Sequence, residues 1–201
     1  MTPYYEQDGI TIYHGDCREV LPSLAKADLV LTDPPYGIFA TGGTWGRKAD
    51  LEWDREPVAN LDQMLAAGTN QIVWGGNYYA LPPSRGWLVW LKRDSLPSTA
   101  DVELAWTSFD MNSRLIDQTI AATNAERLGH PTQKPLRVMR WSLGFAPNAR
   151  TVIDPFMGSG TTLEACALLG RRAIGIEIEE RYCEIAAKRL SQGVLPMEAT
   201  A

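Results

Sequence analysis

The residues with the most chemistry in this chain are Asp33-Pro34-Pro35-Tyr36. They combine a carboxylate, a carbonyl that no helix or ladder will claim, and an aromatic ring. The four residues ahead of them, Leu29-Val30-Leu31-Thr32, are apolar or β-branched and predict a buried strand. Two prolines end that strand, because neither can donate to a ladder. The group is therefore delivered at the carboxyl end of a strand, where open α/β sheets bind their ligands. A planar amino group on a heterocyclic base suits it. Asp33 and the Pro34 carbonyl can each accept one amino hydrogen, and Tyr36 can stack on the ring. The plainer alternative is a strand followed by a Pro-Pro turn.

A second stretch argues against that alternative. Thr151-Val152-Ile153 predicts another short strand, followed by Asp154-Pro155-Phe156-Met157-Gly158-Ser159-Gly160-Thr161-Thr162. The glycines permit a tight turn and close approach of backbone to a ligand. A helix is expected from about Thr161 to Leu169, then a strand Arg172–Glu177 ending in an acid. Strand, glycine turn, helix, strand, acid is the order of an adenosine-binding βαβ unit, with Glu177 on the ribose hydroxyls. Leu163 stands where a dinucleotide fingerprint has its third glycine, and no Gly-Lys-Ser/Thr follows as in a P-loop. Both departures fit a nucleoside ligand without phosphates.

Together these stretches resemble the S-adenosyl-L-methionine-dependent DNA amino-methyltransferases. Asp-Pro-Pro-Tyr precedes the cofactor motif, which is the order of the β group. His130-Pro131-Thr132-Gln133-Lys134-Pro135 lies just ahead of the cofactor motif, where that group carries it. The short chain and Val73-Trp74-Gly75-Gly76-Asn77-Tyr78-Tyr79 are similar to the compact phage or prophage branch. The resemblance implies a Rossmann-like α/β fold with a mostly parallel, doubly wound sheet and permuted motif order, in one domain over residues 1–201. It implies methyl transfer to the N6 of a flipped adenine in DNA, with Asp33, Pro34, Pro35 and Tyr36 as the catalytic set. It assigns S-adenosyl-L-methionine to Asp154, Phe156, Gly158, Ser159, Gly160, Thr161, Thr162 and Glu177. It adds Asp16 beside the adenine, and Thr132 and Lys134 at the methionine carboxylate. Asp16 is equally suited to N-cap the segment 17–24. N4-cytosine transfer remains an alternative, although relatives of that kind usually carry Ser at the place of Asp33. Methylation of RNA or of a protein amide is another. From a different class comes a non-catalytic nucleic-acid-binding module that retains cofactor affinity.

Composition bounds the rest. A chain of 201 residues with 45% hydrophobic content supports one α/β domain with a substantial core. No apolar run is long enough to span a membrane, and Met1–Ile10 has no signal-peptide pattern. Three cysteines, Cys17, Cys166 and Cys183, lack metal-ligand spacing and read as reduced thiols in a cytoplasmic protein that binds no metal. The formal charge of −5 is unusual for a DNA partner, so the arrangement of charge carries the argument. Cations gather at Arg47, Lys48, Arg55, Arg85, Lys92 and Arg93, and acids at the chain ends.

The elements that must position these groups follow in order. Strands are expected at Gly9–His14, Gln71–Trp74, Trp87–Leu91, Val102–Ser108 and Leu115–Ile120, and helices at Cys17–Leu24, Asn60–Ala67, Leu136–Phe145 and Glu179–Leu190. Trp74, Trp87, Trp90 and Trp106 are expected in the core or at sheet edges. Larger members of the family that this chain resembles carry a target-recognition region between the catalytic and cofactor motifs. Here that interval, polar over 110–129, must also supply several strands and leaves no room for one of normal size, so a homodimer would supply further DNA contacts.

Residues 37–57 show no period, and loops of such length in compact domains are commonly functional. Gly42-Gly43 with Trp45, Arg47, Lys48, Trp53 and Arg55 predicts a mobile substrate loop that offers stacking and phosphate contacts. Replacing Arg47 and Lys48 with Ala should lower DNA affinity and flatten its salt dependence, by up to about one log unit for each phosphate no longer neutralised. Fluorescence-anisotropy titrations over a salt series check this. An unchanged slope would move the DNA surface to Arg85, Lys92 and Arg93.

Overall fold

The computed structural model describes residues 1–37, 61–95, 100–126 and 132–192. Its centre is β3 (Ala27–Thr32), whose last four residues are all buried. Such a run is what a strand covered on both faces requires. Leu29 and Leu31 join one core with Ile12, Trp74, Leu88, Val138, Leu143 and Leu163, while Val30 joins another with Val20, Met64, Val73, Trp106 and Ile176. The period of two in β3 thus divides its side chains between two layers of packing.

Around β3 a nine-stranded sheet is built in the order β1-β2-β9-β8-β3-β4-β6-β5-β7. The strands are β1 (Tyr5–Gln7), β2 (Ile10–His14), β4 (Gly68–Trp74), β5 (Trp87–Leu91), β6 (Val102–Thr107), β7 (Arg114–Asp117), β8 (Thr151–Asp154) and β9 (Arg172–Glu177). Neighbours are parallel from β2 through β4 and between β5 and β7. Only β1 and β6 run against the rest. The helices are α1 (Cys17–Val20), α2 (Asp62–Ala66), α3 (Ile120–Ala125), α4 (Leu136–Leu143), α5 (Thr161–Leu168) and α6 (Glu180–Ser191). Helices α4, α5 and α6 cover the Leu29/Leu31 face, and α1 and α2 cover the Val30 face.

The chain leaves β3 toward β4 on one side and leaves β8 through α5 toward β9 on the other. The gap between the ends of β3 and β8 is thus the topological switch point of the sheet. In open α/β sheets the ligand crevice lies there.

Several elements differ from the sequence expectation. The helix expected over 17–24 is α1 followed by a 3₁₀ turn at Leu21–Ser23, because Pro22 has no N–H to continue an α ladder. The strand β4 begins three residues early, at Gly68. A Cβ there would stand 2.7 Å from the Val30 nitrogen, so only glycine lets β4 close on β3 at that point. The strand expected at Leu115–Ile120 ends at Asp117, and Ile120 opens α3. Thr119 caps that helix by accepting from the Ala122 N–H, and Asp94 accepts from Ile120 and Ala121. Between β1 and β2, Asp8-Gly9 supplies two consecutive positive φ values and so closes the first hairpin. Asn60, the first residue of the helix expected over Asn60–Ala67, His130 and the expected substrate residues Trp45, Arg47, Lys48, Trp53 and Arg55 lie outside the described residues.

Gly75 ends β4 in the left-handed region at φ 67°. A Cβ on it would come within 1.9 Å of Tyr36 Cε1. Gly170 has a similar φ of 64° but open space where its Cβ would stand. Both Gly→Ala changes incur backbone strain of ~1 kcal/mol. Gly75→Ala must also displace the Tyr36 ring. Its melting temperature should therefore fall further than that of Gly170→Ala, by at least ~2 °C, which calorimetry on the two variants would measure.

Candidate active site

Asp33-Pro34-Pro35-Tyr36 leaves β3 at the switch point, and Asp154-Pro155-Phe156 leaves β8 beside it. The two are joined below the surface. Thr32 Oγ1 donates to Asp154 Oδ1 at 2.7 Å, and the Phe156 N–H donates to the same oxygen at 3.1 Å. Asp154 is 3% exposed. Burial pushes its carboxyl up to about 6, with Thr162 and Thr32 hydrogen bonds working the other way. Its side chain braces the turn from within.

Above that brace, Tyr36 donates its hydroxyl to Asp33 Oδ1 and Lys134 donates its ammonium to Asp33 Oδ2. Lys134 Nζ also lies 3.1 Å from the Tyr36 hydroxyl and 3.0 Å from Glu103 Oε2, and Lys92 pairs with Glu103 Oε1. Burial, seconded by the charge of Glu103, holds the Asp33 carboxyl above its usual range despite the opposing pull of Lys134. Burial and then Asp33 raise Tyr36 well above the usual phenol, so it stays a neutral donor. Burial alone would lower Lys134, but Asp33 and Glu103 together outweigh it and raise it. Burial likewise opposes the Glu103 charge, yet Lys134 and Lys92 prevail and lower its pKa.

The backbone acceptors divide cleanly. Tyr79 donates its hydroxyl to the Pro35 carbonyl. Among the described residues the Pro34 carbonyl receives no hydrogen bond, which leaves it beside Asp33 as a second acceptor. Tyr78 stacks on Tyr36 with ring centroids 4.8 Å apart and planes at 20°. At 45% exposure Tyr78 gives the site an open aromatic face.

The expected cofactor residues sit on successive strand ends, at β2, β9 and β8. Asp16 follows β2, Glu177 ends β9, and Phe156 to Gly160 follow β8. Asp16 caps α1 by accepting from the Arg18 N–H at 2.8 Å, and Arg18 also forms an ion pair with it. Glu177 accepts from the Gly158 N–H at 3.0 Å and the Glu179 N–H at 2.9 Å. Two carboxylates, a half-buried phenylalanine ring and a turn with Gly158 and Gly160 at positive φ fit an adenosine with its hydroxyls toward the acids. The hydroxyls of the turn are engaged within the protein. Ser159 donates to Gln133 Oε1, Thr161 accepts from Arg189, and Thr162 is bound to Asp154. Their side chains hold the turn in shape. The Lys134 ammonium is on Asp33 and Glu103. Thr132 precedes it at the mouth of the same segment and is partly buried.

Sequence reasoning missed Glu103, Tyr78 and Arg189. Arg189 is a buried cation of α6 that donates to the Ser159 carbonyl at 3.1 Å and the Thr161 hydroxyl at 2.9 Å. None belongs to a catalytic or cofactor motif. Tyr78 alone carried a signal, since it lies in the aromatic and glycine-rich stretch Val73–Tyr79.

With the geometry in place, comparison with known proteins is decisive. The DNA methylase family model, N6_N4_Mtase, matches residues 73–188. This chain belongs to the DNA methylase family. The type II methyltransferase M2.DpnII of Streptococcus pneumoniae is 48% identical over 94% of this methylase and 92% of its own length. A crystal structure of an M1.HpyAVI–SAM complex matches with a TM-score of 0.61 and 26% identity, over 90% of this chain and 100% of that one. The PvuII DNA methyltransferase, described as cytosine-N4-specific, shares the fold with a TM-score of 0.62 at 18% identity, over 94% and 88% of the two chains. The methylase has the α/β architecture that its motifs implied, and its cofactor is S-adenosyl-L-methionine. Among the described residues no helix is long and apolar enough to cross a membrane, and no group of His, Cys, Asp and Glu could hold a metal ion.

Asp154 supplies a test of the brace. Its pKa of about 6 lies above the unfolded value of about 3.9, so the native state binds the proton more tightly. Its contribution to stability is complete below about pH 4 and is lost as pH rises through 6, by roughly 3 kcal/mol. Asp154→Asn keeps an acceptor and removes the titration. Urea midpoints of the methylase relative to this variant should fall as pH goes from about 4 to 7. A constant difference would mean that Asp154 does not carry a raised pKa.

Proposed function

We propose that the methylase transfers a methyl group to the exocyclic N6 of an adenine flipped out of DNA. The observation that carries this reading is the acceptor pair at the switch point, Asp33 with the Pro34 carbonyl beside it. An exocyclic amine has two hydrogens to place, and two acceptors stand together.

S-adenosyl-L-methionine, when bound, supplies an electrophilic methyl on sulfonium. The other contributions come from the chain. Asp33 and the Pro34 carbonyl accept the amine hydrogens and favour a pyramidal nitrogen, which frees a lone pair otherwise delocalised into the ring. The same acceptors stabilise the positive charge that develops on that nitrogen. The strand ends fix these groups on rigid elements, so alignment is largely a matter of positioning. Flipping a base costs a few kcal/mol, and stacking against aromatic rings returns roughly 1–3 kcal/mol. Tyr36 is already covered by Tyr78, so the exposed face of this pair is the surface we assign to the base. Gly158 and Gly160 with Phe156 hold the cofactor, and Glu177 and Asp16 accept from its hydroxyls and amine.

The absence of space for a target-recognition region of usual size supports a homodimer as the DNA-binding form. The three free cysteines support a reducing, cytoplasmic setting.

Asp33→Ala should abolish methyl transfer, with cofactor affinity by calorimetry changed by less than about threefold, because Asp33 faces the base. Nucleoside mass spectrometry of DNA treated with the unaltered methylase should find N6-methyladenine. Finding only N4-methylcytosine would replace adenine with cytosine as the substrate. A collapse of cofactor affinity in the variant would remove Asp33 from the base-binding set.

A further inference from the structure

The proposed function uses Asp33 but leaves its neighbours unexplained. Lys92, Glu103, Lys134 and Asp33 form a chain of alternating charges at the carboxyl edge of the sheet. The side chain of Lys134 is 7% exposed, and those of Asp33 and Glu103 are about a fifth exposed. Two cations and two anions make the set neutral. Burying such a set without benefit would be costly, because each charge gives up its water.

The position of Lys134 raises a conflict. Its ammonium donates to Asp33 Oδ2, and Tyr36 donates to Oδ1. Both oxygens that the target amine needs therefore already have donors. A cation held on Asp33 would also stand close to a nitrogen that becomes positive during transfer, where like charge opposes reaction.

Glu103 resolves the conflict. Its Oε2 is 3.0 Å from the same ammonium, so Lys134 already sits between two carboxylates. The ammonium can settle on Glu103 without crossing an unpaired state. Lys92 holds the far oxygen and aims the near one at Lys134. Glu103 reaches this edge because β6 runs against its neighbours, so its first residues arrive where β3, β4 and β8 end. Among the described residues its buried Oε2 meets Lys134 as an ion pair and has no formed hydrogen bond.

We infer that Glu103 is a positioning residue for methyl transfer: it draws the Lys134 ammonium off Asp33 as the target amine arrives and keeps the cluster neutral while the amine becomes cationic. The inference rests on the reading of Asp33 as the amine acceptor. It does not depend on which base carries that amine.

A double-mutant cycle on the single-turnover rate of methyl transfer to DNA tests it. Glu103→Gln keeps the shape of the side chain and removes its charge. The rate should fall at least about tenfold with cofactor affinity nearly unchanged, measured well below a melting temperature that the loss of a buried partner lowers. Glu103→Asp, which restores the charge, should recover most of the loss. In a Lys134→Met background the Glu103→Gln step should cost less than about threefold, because Glu103 acts through the ammonium. Equal losses in both backgrounds, or a parallel loss of cofactor affinity, would overturn the inference. If Glu103→Gln does not fold, Glu103→Asp carries the cycle, with a smaller loss that must likewise vanish beside Lys134→Met. The unaltered methylase separates the two readings. If it methylates DNA and the cycle is additive, only the role of Glu103 falls; if it transfers nothing to a base amine, the reading of Asp33 falls and takes the inference with it.

Discussion

A carboxylate with almost no exposure sits where the two halves of the sheet part company. Asp154 accepts hydrogen bonds from the Thr32 hydroxyl of β3 and from the Phe156 N–H of its own turn. Past Val30 and Ile153 the ladder between β3 and β8 gives no further pairs, so backbone no longer ties the strands. Side chains must do so, and an unmade bond on a buried carboxylate is expensive. This hydrogen bond therefore fixes the distance between the segment that carries Asp33 and the segment that carries the glycine turn. With base and cofactor on these segments as we propose, in-line transfer tolerates little error in that distance.

The glycine turn is braced from the other direction by α6. A Cβ on Gly160 would stand 2.7 Å from that of Ala186, so the helix lies flush on the turn. Arg189, one turn further along α6, donates to Ser159 and Thr161 and pairs with Glu164 on α5. Gln133 binds Ser159 and also the Glu126 carbonyl at the end of α3, and Glu126 accepts from the Leu136 N–H at the start of α4. Three helices thus converge on a turn of a few residues. That convergence explains why Ser159 and Thr161 engage their hydroxyls inside the protein, while Thr162 is held by Asp154.

The fold was legible where side-chain pattern and covalent geometry act alone. Leu29–Thr32 could only be a buried strand, Pro34-Pro35 could only end it, and the turn at Gly158–Gly160 announced itself by composition. Trp74, Trp90 and Trp106 are core residues, as their strand positions suggest. What could not be read depends on partners distant in sequence. Gly68 starts β4 because of Val30, and α3 starts where Asp94 caps it. Pro22 is a different case, since its missing N–H ends α1 early by local geometry alone and was open to a closer reading. In the site, residue types were legible and their partners were not. The family resemblance points Lys134 at a cofactor carboxylate, and its neighbours in space within the chain are Asp33 and Glu103, separated from it by 101 and 31 positions.

The reversed strand explains why Glu103 escaped notice. A scan for functional groups in an α/β protein looks just after strands, because parallel strands deliver their carboxyl ends to the ligand. An antiparallel strand delivers its beginning. Between β4 and β5, β6 places Val102 and Glu103 at the edge where its neighbours place Gly75 and Lys92. The carboxylate thus arrives without glycine, proline or any other mark of a turn. Its own neighbours, Val102 and Leu104, look like any strand of a sheet. A sheet that is parallel through its ligand-binding half and mixed beyond it can therefore bring two kinds of group to one edge. Those that follow strands are exposed in motifs, and those that open strands are hidden in them. In this methylase the first kind holds the groups that we assign to base and cofactor, and the second kind places a charged partner beside them.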